Sequence, residues 1–346
     1  MTAIRRLPSL PRVSTEQLWS ALGLPAVTLA MVLYFASQSP NFLTVGNAQN
    51  LGRNMAALAV LAIGQAFVIV LGEIDISQGA IVGLATIMAA LAMQDVGAIG
   101  MLAAPLIGLT VGLVNGLLVA SFFVHSVIIT IGTLTTVRGI AFELSGGQPV
   151  TGDFSEAFTW IGTGFVGPFP APFVIALGVC VIAILVVRFT RFGPWLYATG
   201  GNEEASRLAG LPVTRLKIAA FGISGLMAGI AGLILAARIE SGQPNLGAGL
   251  ELQAIAAAVI GGMALAGGRG ALAGVLLGVV VLTVLQNGLD ITNVSSFTQQ
   301  IISGLIIILA VVVDQLRGGG VLARWRRRPG RARVPTGPTT GPADKK

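Results

Sequence analysis

Charge is what this chain of 346 residues has least of: Asp, Glu, Lys and Arg together make up 10% of it. A soluble globular domain carries roughly 25%. With 54% of residues hydrophobic, 14 acids and 21 bases cannot coat a body of this size in water. The apolar excess must face lipid, which makes the chain an all-α polytopic membrane protein. Cysteine is nearly absent too: Cys180 stands alone inside an apolar run, excluding an intrachain disulfide or a cysteine metal site. His125 is the single histidine, so His-cluster metal sites and most nucleophilic triads are excluded, and an intramembrane enzyme loses its usual chemistry. No Gly-x-x-x-x-Gly-Lys-Ser/Thr loop exists to cradle ATP phosphates. Gly267-Gly268-Arg269-Gly270 lacks the lysine and the spacing, and reads as a tight turn. Nothing resembles a channel's selectivity filter.

The bases that are present are informative by position. The net charge of +7 would suit nucleic acid, but the bases gather in the N-terminal tail, one central loop and the C-terminal tail. That is the footprint of orientation in a membrane. Ten apolar segments span the chain: 19–37, 51–71, 77–94, 98–120, 126–144, 172–188, 214–238, 252–267, 271–289 and 299–315. The first follows Arg5, Arg6 and Arg12 in the manner of a signal peptide, but spans continue down the chain, so it reads as an uncleaved helix. The eighth is short and glycine-rich. With both termini in the cytoplasm, 18 of the 21 bases fall inside; Arg53 and Arg238 fall outside and Arg138 lies within a span.

The expected organisation is therefore an N-terminal tail (1–18), a membrane domain (19–316) with a cytoplasmic loop at 189–213, and a basic, disordered C-terminal tail (317–346). The tail segment RWRRRPGRAR (324–333) reads as a solvated anchor that can also touch anionic lipid, at about 1 kcal/mol per basic residue. Outer loops are 38–50, 145–171, 239–251 and 290–298, the second punctuated by Pro and Gly as turns are. The spacing Gly225-x-x-x-Gly229 permits close helix approach. GAIVG (79–83) and GALAG (270–274) form a weak internal echo, each after a glycine-containing break.

The longest polar stretch between spans is RFGPWLYATGGNEEASRLAGLPVTRLK, residues 191–217. Asn202 is a suitable N-cap, with Glu203 and Glu204 at the positive end of the helix dipole. Gly210 and Pro212 end the helix after about two turns. So short a helix is marginal in water. Docked in a groove on a partner it makes sense; an ordinary capped connector is the plainer reading.

This stretch is similar to the cytoplasmic-loop signature of permease subunits of ATP-binding-cassette (ABC) sugar importers, the ribose/xylose/galactose type, related to branched-chain amino acid permeases. GEIDISQGA (72–80) resembles that family's Gly-Gly-Ile-Asp-Leu-Ser-x-Gly signature, with Glu73 in place of the second glycine. TLTTVRGIAFELSGGQPV (133–150), ELQAIAAAVIGGMALAGGRGALAGVLLG (251–278) and QNGLDITNVSSFTQQIISGLIIILAVVVDQ (286–315) resemble the family in order. His125 stands where a proline is frequent. The matches run from about residue 41 to 315. The resemblance implies an importer permease fold in the inner membrane of a bacterium, with two permease chains, identical or paralogous, forming the pore. It also implies that residues 203–209 are a coupling helix seated in a cytoplasmic ATPase, with Asn202, Glu203, Glu204, Ala205, Arg207, Leu208, Ala209 and Gly210 as its contact set. An extracytoplasmic sugar-binding protein would meet the outer loops, including 145–171 and 239–251. ATP and Mg would belong to the ATPase, leaving no cofactor or metal on this chain and no nucleic-acid partner.

Polar groups inside spans are functional candidates by default. Asn54, Gln65, Thr133, Thr136 and Arg138 are candidates for lining the translocation path. For the uncharged four, interhelical hydrogen bonding is an equal reading; for Arg138, a partner on another helix is favoured. Glu73 and Asp75, between two apolar runs, suit an ion relay, a sugar-binding pair or a turn. Gly72, Asp75, Ser77 and Gly79 form the signature turn, read as a cap and hinge that starts the third span. An ion-coupled secondary transporter needs carboxylates near the midplane beside broken helices; Glu73, Asp75 and Glu143 are expected at span ends instead. An ABC permease for a nucleoside or another small polar solute stays open.

Overall fold

The computed structural model describes residues 15–122 and 124–317, and within it helices dominate. In chain order they are α1 (Thr15–Gln38), α2 (Val45–Val70), α3 (Gln78–Val96), α4 (Ala103–Phe122), α5 (Ser126–Ser145), α6 (Glu156–Thr163) and α7 (Ala171–Phe189). Then follow α8 (Phe192–Gly201), α9 (Glu203–Leu208), α10 (Val213–Ile239), α11 (Leu250–Ile260), α12 (Leu272–Ile291) and α13 (Ser296–Arg317). A 3-10 turn (Gly97–Leu102) joins α3 to α4, and a two-residue antiparallel hairpin, β1 (Phe165–Val166) and β2 (Phe169–Pro170), joins α6 to α7. Nearly all of the expected tails, 1–18 and 317–346, lie outside the described residues.

Each of the ten expected apolar segments carries a helix. By length and composition, seven helical runs among the described residues can cross a membrane, with Gln78–Phe122 counted as one run; Gly23–Gln38 and Leu250–Ile260 are shorter apolar helices. The eighth segment differs from its expected bounds of 252–267. α11 stops at Ile260, because Gly261-Gly262 follows and Gly262 takes φ +92°, a conformation that ends a helix. Residues 261–271 then fold back over the end of α2, where Gly268 N–H donates to Val70 O at 2.8 Å. The expected tight turn at 267–270 is part of this return.

From Ala56 onward α2 is apolar on every face apart from Gln65, and residues 56–71 are buried without interruption, the pattern of a central helix. α10 lies against it and against α4. Gly108 and Gly112 on α4 face Gly225 and Gly229 on α10 so closely that a Cβ on Gly108 or Gly225 would strike the other's carbonyl oxygen. The glycine spacing thus replaces side-chain packing with backbone-to-backbone contact. By contrast α13 turns Phe297, Ile301, Leu305, Ile308 and Leu309 outward, the apolar surface that a hydrocarbon solvent requires.

At the end of the bundle away from α9, the segment 145–171 is more ordered than its Pro and Gly content predicts. Ser155 caps α6 by accepting from Phe158 N–H, and Phe158 is fully buried. Val150 and Gly242 exchange two backbone hydrogen bonds of 2.8 Å, joining this segment to the one before α11.

Candidate functional site

α9 is built by local rules. Asn202 adopts an extended conformation and its side-chain oxygen accepts from Ala205 N–H at 2.9 Å. Glu203 and Glu204 fill the first turn. At the other end Gly210 takes φ +81°, while its N–H donates to Arg207 O (3.1 Å) and Leu211 N–H donates to Ser206 O (3.0 Å). That pair of bonds is a Schellman closure. Ala209 is the C-cap, so the helix ends one residue before the expected 209. Only Ser206 of the six helical residues is buried; Glu204, Ala205 and Arg207 are exposed, and Leu208 is 85% exposed.

What holds α9 is a chain of charges. Glu203 accepts from Arg207 one turn on (2.9 Å) and from Lys217 of α10 (2.9 Å). Lys217 also reaches Glu73, after α2, at 2.8 Å. Partial burial alone would raise the Glu203 carboxyl, but hydrogen bonds and charge from Lys217 and then Arg207 outweigh it and hold the group below its ordinary range. Beside these residues lies a cavity of about 370 Å³, lined also by His125, Val119 and Thr214.

The break between α2 and α3 goes deeper than a surface turn. Gly72 reverses the chain with φ +78°, and residues 73–76 run back into the bundle. Asp75 ends fully buried, bonded to Ser224, about three turns inside α10. The expectation that Asp75, like Glu73 and Glu143, lies at a span end fails here: the extended return carries Asp75 inward, whereas Glu73 stays near the α9 end. Asp75 Oδ1 accepts from Ser77 N–H (3.0 Å) and Ser77 Oγ (2.6 Å), and Oδ2 from Ser224 Oγ (2.7 Å). Outer donors feed these: Asn115 Nδ2 to Ser77 Oγ (2.9 Å), Gln78 Nε2 to Ser224 Oγ (2.9 Å), and Thr133 Oγ1 to Asn115 Oδ1 (2.6 Å). In the amide orientation its neighbours require, Gln65 donates to Gln78 Oε1 (3.1 Å) and Asp75 O (3.0 Å). The side-chain bonds from Ser77, Ser224, Asn115, Thr133 and Gln78 run toward the carboxyl group, while Gln65 pairs with the Asp75 backbone, so the network ties Asp75 to five helices. Ser77 caps α3 by position but makes no side-chain bond to its N–H groups, so the cap is the Asp75–Ser77 turn itself. Gly79 lies where a Cβ would strike Gly247 O and the Glu251 carboxylate, letting α3 approach the segment before α11.

Residues 47–311 match the family described as "Branched-chain amino acid transport system / permease component". The ribose import permease protein RbsC of Escherichia coli (strain K12) is 38% identical over 291 residues, 83% of this chain and 91% of its own. This chain belongs to that permease family. RbsC of Bacillus subtilis (strain 168) is 36% identical over 316 residues (88% of this chain, 95% of the relative). The L-arabinose transport system permease protein AraH of E. coli (strain K12) is 36% identical over 306 residues (88% and 93%). No solved structure matches the permease.

Of the path candidates in this multi-pass permease, two join the buried network: Gln65, fully buried, and Thr133. Thr136 is exposed on α5 and bonds back to Gly132 O. Asn54 is exposed on α2 and accepts from Arg238 at 2.7 Å, near Arg53, which stacks over Phe165. Arg138 is half-buried on α5 within electrostatic reach of Glu251 on α11, but no ion pair joins them. Arg138 Nε and Glu251 Oε2 are both buried without a hydrogen-bond partner among the described residues. The candidates thus do not converge on one site. Ser224, Asn115, Lys217 and Glu251 carry no local motif that marks them, although a lone lysine inside an apolar helix start is a usable signal for Lys217.

Proposed function

We propose that the permease is the transmembrane subunit of an ABC importer that moves a monosaccharide across the inner membrane of a bacterium. One observation carries the mechanism: α9 is capped at both ends, tied down by Lys217 on one side, and presents Glu204 and Leu208 to solvent on the other. An 85%-exposed leucine on an anchored helix fits a groove on a cytoplasmic ATPase. ATP and Mg bind that ATPase, and this chain carries no cofactor. A second permease chain completes the pore, and a sugar-binding protein docks on the opposite end, over the paired segments 145–171 and 239–251. The relatives named for ribose and L-arabinose support a substrate among pentoses and similar sugars.

Asp75, a fully buried acid, is a feature an ion-coupled carrier would share. Protein hydroxyls and a backbone N–H occupy both its oxygens, and the cavity beside Glu73 does not include it. Reconstitution decides between the two. Proteoliposomes holding the permease, its ATPase and its binding protein should take up D-ribose or L-arabinose only with ATP. Uptake by the permease alone, driven by an ion gradient and indifferent to ATP, overturns the proposal.

A further inference from the structure

α9 has six residues, too few to hold an orientation unaided. Its covalent ends lead to α8 and α10. Toward the α2–α3 break, however, it faces the cavity of about 370 Å³, so packing does not carry the connection across. Lys217 does. Its ammonium sits between Glu203 of α9 (2.9 Å) and Glu73 of the break (2.8 Å), and the Lys217 and Glu73 side chains are only 11% and 14% exposed. Water screens such a pair less than a surface pair.

Beyond Glu73 the connection continues without a gap. The next residue, Ile74, is held on both backbone groups by hydroxyls of α5: its N–H donates to Ser126 Oγ (3.0 Å) and its carbonyl accepts from Thr130 Oγ1 (3.4 Å). Asp75 follows, with its network reaching Thr133, also on α5. Further along α5 come Thr136, exposed, and Arg138.

We propose that Glu73 and Lys217 are positioning residues for transport: the Glu203–Lys217–Glu73 bridge passes a displacement of α9 to the α2–α3 break and through Ile74 to α5. The inference rests on α9 being the ATPase-docking helix. Its parts are two ion pairs in series, followed by two hydrogen bonds that act side by side on Ile74, so the ion pairs can be cut without touching the ATPase-facing side of α9. Glu73→Gln keeps shape and removes charge; Lys217→Gln removes both ion pairs.

The test uses the full complex of permease, ATPase and binding protein in lipid nanodiscs. The readout is the factor by which the loaded binding protein stimulates ATP hydrolysis, alongside co-purification of the ATPase and the thermal midpoint. Glu73→Gln should cut the stimulation factor about fivefold while the ATPase still co-purifies. The double variant Glu73→Gln/Lys217→Gln should be no lower than Lys217→Gln alone, because both substitutions break one strut. A merely structural role would lower the midpoint but leave the stimulation factor of the assembled complex at its wild-type value. A wild-type stimulation factor in Glu73→Gln, or losses that multiply in the double variant, overturns the proposal. If Glu73→Gln fails to assemble, Glu73→Asp keeps the charge but shortens its reach; a partial loss supports the strut and a wild-type factor refutes it. Leu208→Asp separates the two readings. If it still captures the ATPase, α9 is not the docking helix and the strut falls with it. If it does not, a null result at Glu73 refutes the strut alone.

Discussion

Asp75→Asn probes whether the buried carboxylate holds the fold or carries ions. The wild-type side chain accepts three hydrogen bonds, two at Oδ1 from Ser77 and one at Oδ2 from Ser224. An asparagine keeps the oxygen facing Ser77 but turns an amide N–H toward Ser224 Oγ. Ser224 then accepts from this amide and from Gln78, and its own proton loses its acceptor. One orphaned buried donor costs about 1–3 kcal/mol, partly offset because a charge is no longer buried. The net loss should be about 1–2 kcal/mol, or a midpoint roughly 2–6 °C lower. Asp75→Leu orphans the Ser77 N–H, the Ser77 hydroxyl and the Ser224 hydroxyl together, for a loss of about 3–5 kcal/mol or failure to assemble. Thermal unfolding in detergent, followed by tryptophan fluorescence, gives the order wild type, Asn, Leu. Transport per folded molecule should survive in Asp75→Asn. A variant as stable as wild type but unable to transport would refute the structural role.

Two further outcomes follow from other parts of the molecule. Gly225→Leu should separate α4 from α10, since even a Cβ there meets Gly108 O; a loss above about 3 kcal/mol, seen as loss of the monodisperse chromatographic peak, is expected. The Glu203 carboxyl is held below its ordinary value of 4.5 by Lys217 and Arg207, so its contribution is complete above that value and lost as pH falls through the lower, folded one. Hydrogen-exchange protection of α9, corrected for intrinsic rates, should be flat from pH 8 to about 5 and fall only in stronger acid; a fall near neutrality would contradict the anchor.

How far a feature can be read from the amino-acid sequence follows the range of the forces behind it. Asn202 and Gly210 act within four residues, so the caps of α9 are legible in the sequence alone. The apolar runs, set by the solvent, locate the helices. Glu73 is opaque because its partner, Lys217, lies 144 residues away, and Asp75 because Ser224 lies 149 away. Nothing in a local pattern says that 73–76 doubles back into the bundle rather than capping α3 at the surface. α6 is hidden by the Gly and Pro around it, although Ser155 followed by Glu156 is a helix start. The early end of α11 depends on the positive φ of Gly262, a conformation that glycine permits but does not announce.

If α9 is the ATPase-docking helix, changes on its exposed face should release the ATPase and leave the membrane domain intact. The permease is co-expressed with its ATPase and captured through a tag on the permease, with Leu208→Asp and Glu204→Arg compared to wild type. Both side chains are solvent-exposed and bond to nothing else in the described fold, so the membrane domain should keep its thermal midpoint. Recovery of the ATPase should fall at least tenfold in both variants. Undiminished recovery in both, with the midpoint intact, would contradict the central claim.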